Sequence, residues 1–93
     1  IMSWDAVQGM IRNIGRLLPN GGQIYLYGPF MYDGRHTAES NAQFDVWLKA
    51  RDPLSGLRDV TDLSALMAVE SIELVRDYEM PVNNRILVWK KSL

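Results

Sequence analysis

Ionisable and polar side chains cluster a few residues after the continuous apolar run of residues 24–27. Tyr32, Arg35, His36 and Thr37 lie within one short stretch, and Asn41 follows it closely. Histidine is the side chain that exchanges a proton near neutral pH, so His36 is the natural candidate for a general base. The Arg35 guanidinium has the planar fork that suits a carboxylate or a phosphate. We therefore predict that His36 and Arg35 are catalytic residues.

Simpler interpretations exist for residues of this kind. A single histidine in a polar loop more often makes a local hydrogen bond than performs catalysis. Asp33-Gly34 is a turn signal, and Asn83 also suits a turn because asparagine tolerates positive φ. Arg51 lies at a predicted helix end, where a surface ion pair would add little. The richness of the cluster in aromatic and ionisable groups nevertheless favours a functional site.

A helix, a turn and a strand precede this cluster and would position it. Pro19 ends the helix, and the Gly21-Gly22 pair allows a tight reversal. Residues 24–27 then form a continuous apolar run, which is typical of a parallel strand covered on both faces. Ligands of open α/β sheets bind beyond the carboxyl ends of the strands, so the residues after Tyr27 are the expected site.

Hydrophobic periodicity predicts the other elements of an α/β fold. Steps of three and four indicate helices over 4–18, 41–51 and 61–70, and 1–3 is the expected tail of a strand. Ser3 should cap the first helix, and Asp59 or Thr61 the third. A strand over 23–28 and an antiparallel pair over 72–80 and 84–90 complete the set. The helices are expected to bury Phe44, Trp47 and Leu48 on the second and Leu63, Leu66 and Met67 on the third.

Composition excludes several classes of partner and cofactor. The formal net charge of -1 gives no electrostatic reason to expect nucleic acid or an anionic membrane. The chain has no Cys and only 1 His, so we expect neither a disulfide framework nor a metal site. No apolar run approaches the roughly 20 residues that a membrane span needs. A cytoplasmic location is the resulting expectation.

An ordered set of motifs carries a resemblance to a known family. Leu-x-Pro-x-Gly-Gly before an apolar strand resembles the fifth-strand region of class I S-adenosylmethionine-dependent methyltransferases. The wider set is similar to an uncharacterised methyltransferase-like family and covers nearly the whole chain. The motifs are YGPF (27–30), DGRHT (33–37), SNAQFDVWLKARDP (40–53), GLRD (56–59) and MPVNN (80–84).

The resemblance implies a fold, a cofactor and a substrate class. The fold would be the C-terminal half of a class I methyltransferase sheet, with a parallel strand, an antiparallel terminal hairpin whose last strand lies in the middle, and helices packed on the sheet. The cofactor-binding half, with its glycine-rich turn, would be absent, so we expect the 93 residues alone to be inactive. The substrate would be a small molecule.

The resemblance also assigns residues to the two ligands. Ile1 and Trp4 match a segment that follows the fourth strand of the family and would lie near the methionine part of S-adenosylmethionine, although Met2-Ser3 departs from the usual Ser-Pro. The residues expected near the cofactor are Ser3, Trp4, Tyr27, Gly28 and Pro29. Those expected to bind the substrate are Phe30, Tyr32, Thr37, Asn41, Arg51 and Asn83.

Three hypotheses therefore stand. The first is the acceptor-binding half of a methyltransferase that acts on a small molecule. The second is a non-catalytic module of the same fold that binds a ligand or forms a homodimer. The third is an unrelated α/β domain that uses Arg35 and His36 on a phosphorylated ligand. A glycine-rich turn upstream in the parent protein would favour the first.

Overall fold

The computed structural model describes residues 2–92, and these residues form two small sheets and three α-helices. Ile1, assigned above to a strand tail and to the cofactor, lies outside the described residues, and Met2 and Ser3 of the same predicted strand tail belong to no strand. In chain order the elements are α1 (Trp4–Leu17), β1 (Gln23–Gly28), β2 (Met31–Tyr32), β3 (Arg35–His36), α2 (Glu39–Arg51), α3 (Val60–Val69), β4 (Ile72–Met80), a 3₁₀ turn (Pro81–Asn83) and β5 (Asn84–Lys91).

The last strand of the described chain is the middle strand of the larger sheet. Its order is β1-β5-β4, and both pairings are antiparallel. β1 runs beside β5 from Gln23 opposite Lys90 to Gly28 opposite Arg85. This arrangement confirms the predicted terminal hairpin and the predicted strand order. The parallel pairing expected for β1 has no partner strand among residues 2–92, so it stays a prediction.

Helices α1 and α3 cover one face of this sheet. Trp89 and Leu87 alternate along β5 toward that face and are completely buried. Met67 of α3 packs into the same cluster, which confirms that α3 presents its predicted stripe to the core. Leu63 is also buried, whereas Leu66 is only partly buried. The core cluster consists of Val7, Ile11, Phe30, Val60, Leu63, Met67, Ile72, Leu87 and Trp89.

The prediction that β1 is covered on both faces is wrong for the described residues. Burial alternates along the strand, and the side chains of Tyr25 and Tyr27 are each 64% exposed. Ile24 and Leu26 point toward the helices and pack against the core. The run of four apolar residues is therefore divided between two faces of the sheet. The two aliphatic side chains face the helices, and the two tyrosines face water, which the tyrosine hydroxyl tolerates.

The prediction that Phe44 and Trp47 belong to the core is also wrong. Helix α2 begins two residues earlier than predicted and buries Asn41, Asp45 and Leu48 instead. Phe44 is 38% exposed and Trp47 is 53% exposed. Their rings stack on each other with centroids 5.9 Å apart, so they cover each other rather than the sheet.

Side-chain caps explain where two of the helices begin. The N–H of Ala6 donates to Ser3 Oγ at 3.2 Å, which confirms the predicted cap of α1. Asp59, and not Thr61, caps α3, because its carboxylate accepts the N–H of Thr61 at 2.8 Å. Within residues 2–92, no helix has the length and apolar character that a membrane crossing requires.

The outer edge of β1 generates a prediction about self-association. Among the described residues this edge pairs with no strand, and unpaired edges favour pairing with another chain. We expect the 93-residue chain to associate at high concentration, and Tyr25→Lys to weaken that association because edge lysines oppose pairing. Sedimentation velocity measures both, with Val69→Lys on exposed α3 surface as the control. A monomer at all concentrations would contradict this prediction.

Candidate functional site

The segment between β1 and α2 is a short hairpin rather than an irregular loop. Met31 pairs with His36, and Tyr32 pairs with Arg35. The turn is the predicted Asp33-Gly34 pair, with φ angles of 51° and 79°. We call this segment, residues 31–36, the hairpin. It carries both predicted catalytic residues, and side chains from other elements hold it in place.

Asp59 holds the turn of the hairpin against the start of α3. Its carboxylate accepts the backbone N–H of Asp33 at 3.2 Å and that of Gly34 at 2.5 Å. Thr61 adds a bond by donating its hydroxyl to Asp33 Oδ1 at 2.6 Å. Burial raises the pKa of the Asp59 carboxyl, but the N–H groups of Gly34 and Thr61 hold it below its usual value. Asp59 is therefore an ionised anchor for the turn at neutral pH.

Asp45 of α2 anchors the other end of the hairpin. Its side chain is 5% exposed, and Oδ2 lies 3.1 Å from both His36 Nε2 and Lys49 Nζ. Its Oδ1 accepts the backbone N–H of Leu57 at 3.0 Å. Burial raises the pKa of this carboxyl, but the bonds from Leu57 and Lys49 outweigh burial and lower the pKa. Gly56 allows the close approach, because a Cβ there would lie 3.0 Å from Asp45 Oδ1.

The contact with Asp45 fixes how His36 is protonated. An ionised carboxylate can only accept hydrogen bonds. His36 Nε2 therefore carries a proton and donates a hydrogen bond to Asp45. In the neutral ring the lone pair then lies on Nδ1. His36 Nδ1 is buried and has no hydrogen-bond partner among residues 2–92. The basic nitrogen of the predicted catalytic residue is thus oriented, unpaired and covered.

Asn41, predicted to bind substrate, joins three segments of the site. It is 5% exposed, and its Nδ2 donates to Thr37 Oγ1 at 3.2 Å and to the carbonyl of Asn83 at 3.3 Å. Asn83 Nδ2 returns a bond to Ser40 Oγ at 3.4 Å. Asn83 has a φ of 59°, as its turn interpretation predicts, but Val82 also has a φ of 61°. The turn is therefore strained at a β-branched residue and fastened to α2.

Tyr32, also predicted to bind substrate, connects the hairpin to the sheet. Its hydroxyl donates to Asp77 Oδ2 at 2.6 Å, and Arg85 Nε donates to Asp77 Oδ1 at 2.8 Å. The Arg85 guanidinium also lies 5.8 Å from the centre of the Tyr32 ring. Burial and the bond to Asp77 raise the pKa of Tyr32 to about 12, so the phenol stays protonated.

The residues predicted to contact the cofactor line neighbouring clefts. The end of β1 and the following residues line an apolar cleft of about 170 Å³, which we call the strand-end cleft. Ser3 and Trp4 line a second cleft of about 320 Å³. Arg58 lines both clefts and so connects the two predicted segments. The lining of the strand-end cleft is Tyr27, Gly28, Pro29, Phe30, Phe44, Gly56, Leu57 and Arg58.

Two predicted residues lie outside these networks. Arg35 is exposed, and its side chain forms no hydrogen bond or ion pair within the part of the chain that the structure describes. Arg51 is exposed at the end of α2, where its guanidinium lies 4.8 Å from the centre of the Trp47 ring. The structure thus brings His36, Thr37 and Asn41 together around α2, but not the two arginines.

Sequence reasoning did not assign roles to the partners of these residues. Asp45 bonds His36 and Asp77 bonds Tyr32, while Arg58 connects the clefts near the predicted cofactor residues. One available signal was the helical spacing of Asn41, Asp45 and Leu48, which places polar residues on the face that a helix buries. Across residues 2–92, no group of three or more His, Asp or Glu side chains is arranged to hold a metal ion.

Comparison with known proteins identifies the family and the fold. Residues 1–91 match the family described as "Protein of unknown function (DUF938)", and the chain belongs to this family. The "Crystal Structure of CalO1, Methyltransferase in Calicheamicin Biosynthesis, SAH bound form" superposes with a TM-score of 0.75 at 17% identity over 95% of this chain. The "Structure of the Pyocyanin Biosynthetic Protein PhzM" superposes with a TM-score of 0.71 at 15% identity over 98% of this chain.

These similarities establish the fold of the chain and the share of each neighbour's length that it covers. The described sheet, with its antiparallel terminal hairpin and packed helices, is the corresponding part of a methyltransferase fold. The chain spans 26% of CalO1 and 27% of PhzM, about a quarter of either protein. The shared fold counts against the third hypothesis, an unrelated α/β domain.

Asp45 generates a prediction about stability and pH. Asp45→Asn removes a charge that accepts three hydrogen bonds, so we expect a loss of about 1–3 kcal/mol in the free energy of unfolding at pH 7. The folded pKa of Asp45 lies below its unfolded value, so its contribution is complete above the unfolded value and is lost as the pH falls below about 4.

Urea unfolding at pH 7 and near pH 3 measures this difference. The gap between the wild type and Asp45→Asn should be large at pH 7 and should shrink in acid. Glu73→Gln, which neutralises an exposed carboxylate on β4, is the control and should change little at either pH. A gap that is equal at both pH values would contradict the assignment of an ionised Asp45 anchor.

Proposed function

We propose that this chain is the acceptor-side part of an S-adenosylmethionine-dependent methyltransferase that acts on a small molecule. The observation that carries the proposal is the fold shared with CalO1, combined with a polar network at the carboxyl end of β1. In open α/β sheets this end is where ligands bind. A cytoplasmic location remains part of the proposal.

The residues near the strand-end cleft fit one end of the cofactor. Gly28 has a φ of 155° and a Cβ there would meet no atom within 4 Å, so the backbone of the strand end is open to a ligand. Phe30, predicted above to bind the substrate, belongs to the core cluster and forms an apolar wall of this cleft with Phe44, while Ser3 and Trp4 line the adjoining cleft. S-adenosylmethionine, when bound, supplies an electrophilic methyl group. The glycine-rich turn that would hold its nucleoside belongs to the expected N-terminal half.

His36 is the proposed base for an acceptor that loses a proton on methylation. Asp45 holds the ring with Nε2 protonated, and this leaves Nδ1 to take the proton from the acceptor. Because Nδ1 is covered in this structure, the acceptor can reach it only if the hairpin moves. Asp45 is then a positioning residue, since it acts through His36.

The remaining predicted residues are proposed to surround the acceptor. Thr37, Asn41 and Asn83 form one hydrogen-bonded wall, and Tyr32 forms another with Asp77. Arg35 is proposed to neutralise an anionic acceptor, and its exposure leaves the guanidinium free for that role. Arg51 is proposed to flank the same acceptor from the end of α2.

A non-catalytic module of the same fold is the alternative. The covered position of His36 Nδ1 favours it, because a base that never meets an acceptor performs no chemistry. The unpaired edge of β1 would suit the homodimer that this alternative includes. A glycine-rich turn upstream in the parent protein supports catalysis, and a degraded turn supports the alternative.

The catalytic proposal predicts separate effects on turnover and on cofactor binding. In the full-length protein, His36→Ala should lower kcat by about 10²–10⁴-fold, as expected for loss of a general base. Arg35→Ala should also lower turnover. Both variants should bind S-adenosylmethionine with nearly unchanged affinity, because the two residues belong to the acceptor side.

A methyl-transfer assay beside isothermal titration of the cofactor separates the two effects. Arg12→Gln, on the exposed surface of α1, is the control and should leave both measurements unchanged. Unaltered turnover in both site variants would return His36 and Arg35 to structural roles. Failure of the full-length wild type to bind S-adenosylmethionine would contradict the methyltransferase proposal itself.

A further inference from the structure

Arg58 occupies the point where three clefts meet. It follows the Gly56-Leu57 pair and precedes the cap of α3, and it lines the strand-end cleft, the cleft of Ser3 and Trp4, and a third cleft of about 340 Å³. Its guanidinium lies 5.6 Å from the centre of the Trp4 ring. Arg58 thus borders three clefts near the segments assigned to the cofactor.

The guanidinium of Arg58 forms no ion pair among residues 2–92. Its Nη2 donates to the carbonyl of Met2 at 2.6 Å and to that of Leu54 at 3.0 Å, and both acceptors are neutral. Its Nε is buried and has no hydrogen-bond partner, and no carboxylate forms an ion pair with it among residues 2–92. A partly buried guanidinium normally has an anionic partner, because desolvating an unpaired charge is costly.

The linings of the clefts indicate where an anion would lie. Asp59 and Asp62 line the third cleft with Arg58, and Asp5 lines the cleft of Ser3 and Trp4. These carboxylates would repel an anion. The strand-end cleft has no acidic residue in its lining, and Arg58 is the only charged residue there. An anionic group is therefore favoured in the strand-end cleft alone.

The same cleft limits the chemistry of the ligand. At about 170 Å³ it is smaller than the roughly 300–1,000 Å³ of sites that enclose a whole ligand, so it takes one end of a molecule. Phe30 and Phe44 give that end apolar walls. A carboxylate on a short apolar chain or ring fits both conditions, since the fork of arginine pairs with planar carboxylates.

We propose that Arg58, supported by Trp4, binds the carboxylate of a ligand whose end lies in the strand-end cleft. Two ligands of the proposed function carry this chemistry: the amino-acid part of the cofactor, and an acceptor with a carboxylate. The identity of the ligand that supplies the carboxylate rests on the proposed function. The anion site itself does not depend on it.

Two pairs of probes distinguish the sources. S-adenosylhomocysteine carries the amino-acid carboxylate, whereas methylthioadenosine lacks it. If the carboxylate belongs to the cofactor, Arg58→Gln in the full-length protein should weaken binding of S-adenosylhomocysteine about tenfold or more and leave methylthioadenosine unchanged. If it belongs to the acceptor, both nucleosides should bind normally, and Arg58→Gln should instead weaken binding of benzoate relative to benzamide.

Two further variants control for structural damage. Arg58→Lys keeps the charge without the fork, so it should weaken the same probe less, and it replaces Arg58→Gln if that variant fails to fold. Arg12→Gln should change nothing. Isothermal titration measures the affinities, and the NMR signal of the Arg58 Nε–H should shift only when a carboxylate probe binds.

Each outcome decides the matter. Equal weakening of both nucleosides would make Arg58 a structural residue that pins Met2 and Leu54, and this would overturn the proposal. Unchanged affinities for S-adenosylhomocysteine and benzoate would also overturn it. If the wild type binds neither nucleoside, the methyltransferase proposal fails separately, and benzoate binding that depends on Arg58 would still support the anion site.

Discussion

Carboxylates from three separate elements hold the segment between β1 and α2 in place. Asp45 of α2 contacts His36, Asp59 accepts the turn at Gly34, and Asp77 of β4 accepts the hydroxyl of Tyr32. A two-residue ladder alone would be marginal in water, so the hairpin depends on these external acceptors. These three carboxylates hold the residues that the proposed chemistry uses. The shape of the site therefore depends on hydrogen bonds to charged groups as well as on apolar packing.

The elements that could be predicted from sequence are those with a local cause. Alternating residues and a short connection specify the β4–β5 pair, and the spacing of Leu63 and Met67 specifies the buried stripe of α3. The Asp33-Gly34 turn follows from the preference of these residues for positive φ. The order of the strands was predicted from a family resemblance, because the sequence of a strand does not determine which strands lie beside it.

The features that escaped prediction depend on residues far away in the chain. Apolar spacing placed Phe44 and Trp47 in the core, but the helix rotates them outward because Asp45 finds buried partners at His36 and Leu57. A buried carboxylate is favourable only when such partners exist, and periodicity does not reveal them. Arg58 was not predicted for the same reason, since its interest lies in the absence of an ion pair among the described residues and not in its own sequence neighbours.

The position of β5 has a consequence for folding during synthesis. Residues Gln23 and Lys90 are partners in the sheet, yet residues 24–89 lie between them in the chain. Among residues 2–92, β1 and β4 hydrogen-bond to no strand except β5, so β5 must be synthesised before either of these pairings can form. The sheet face on which α1 and α3 pack is therefore incomplete until β5 has joined it.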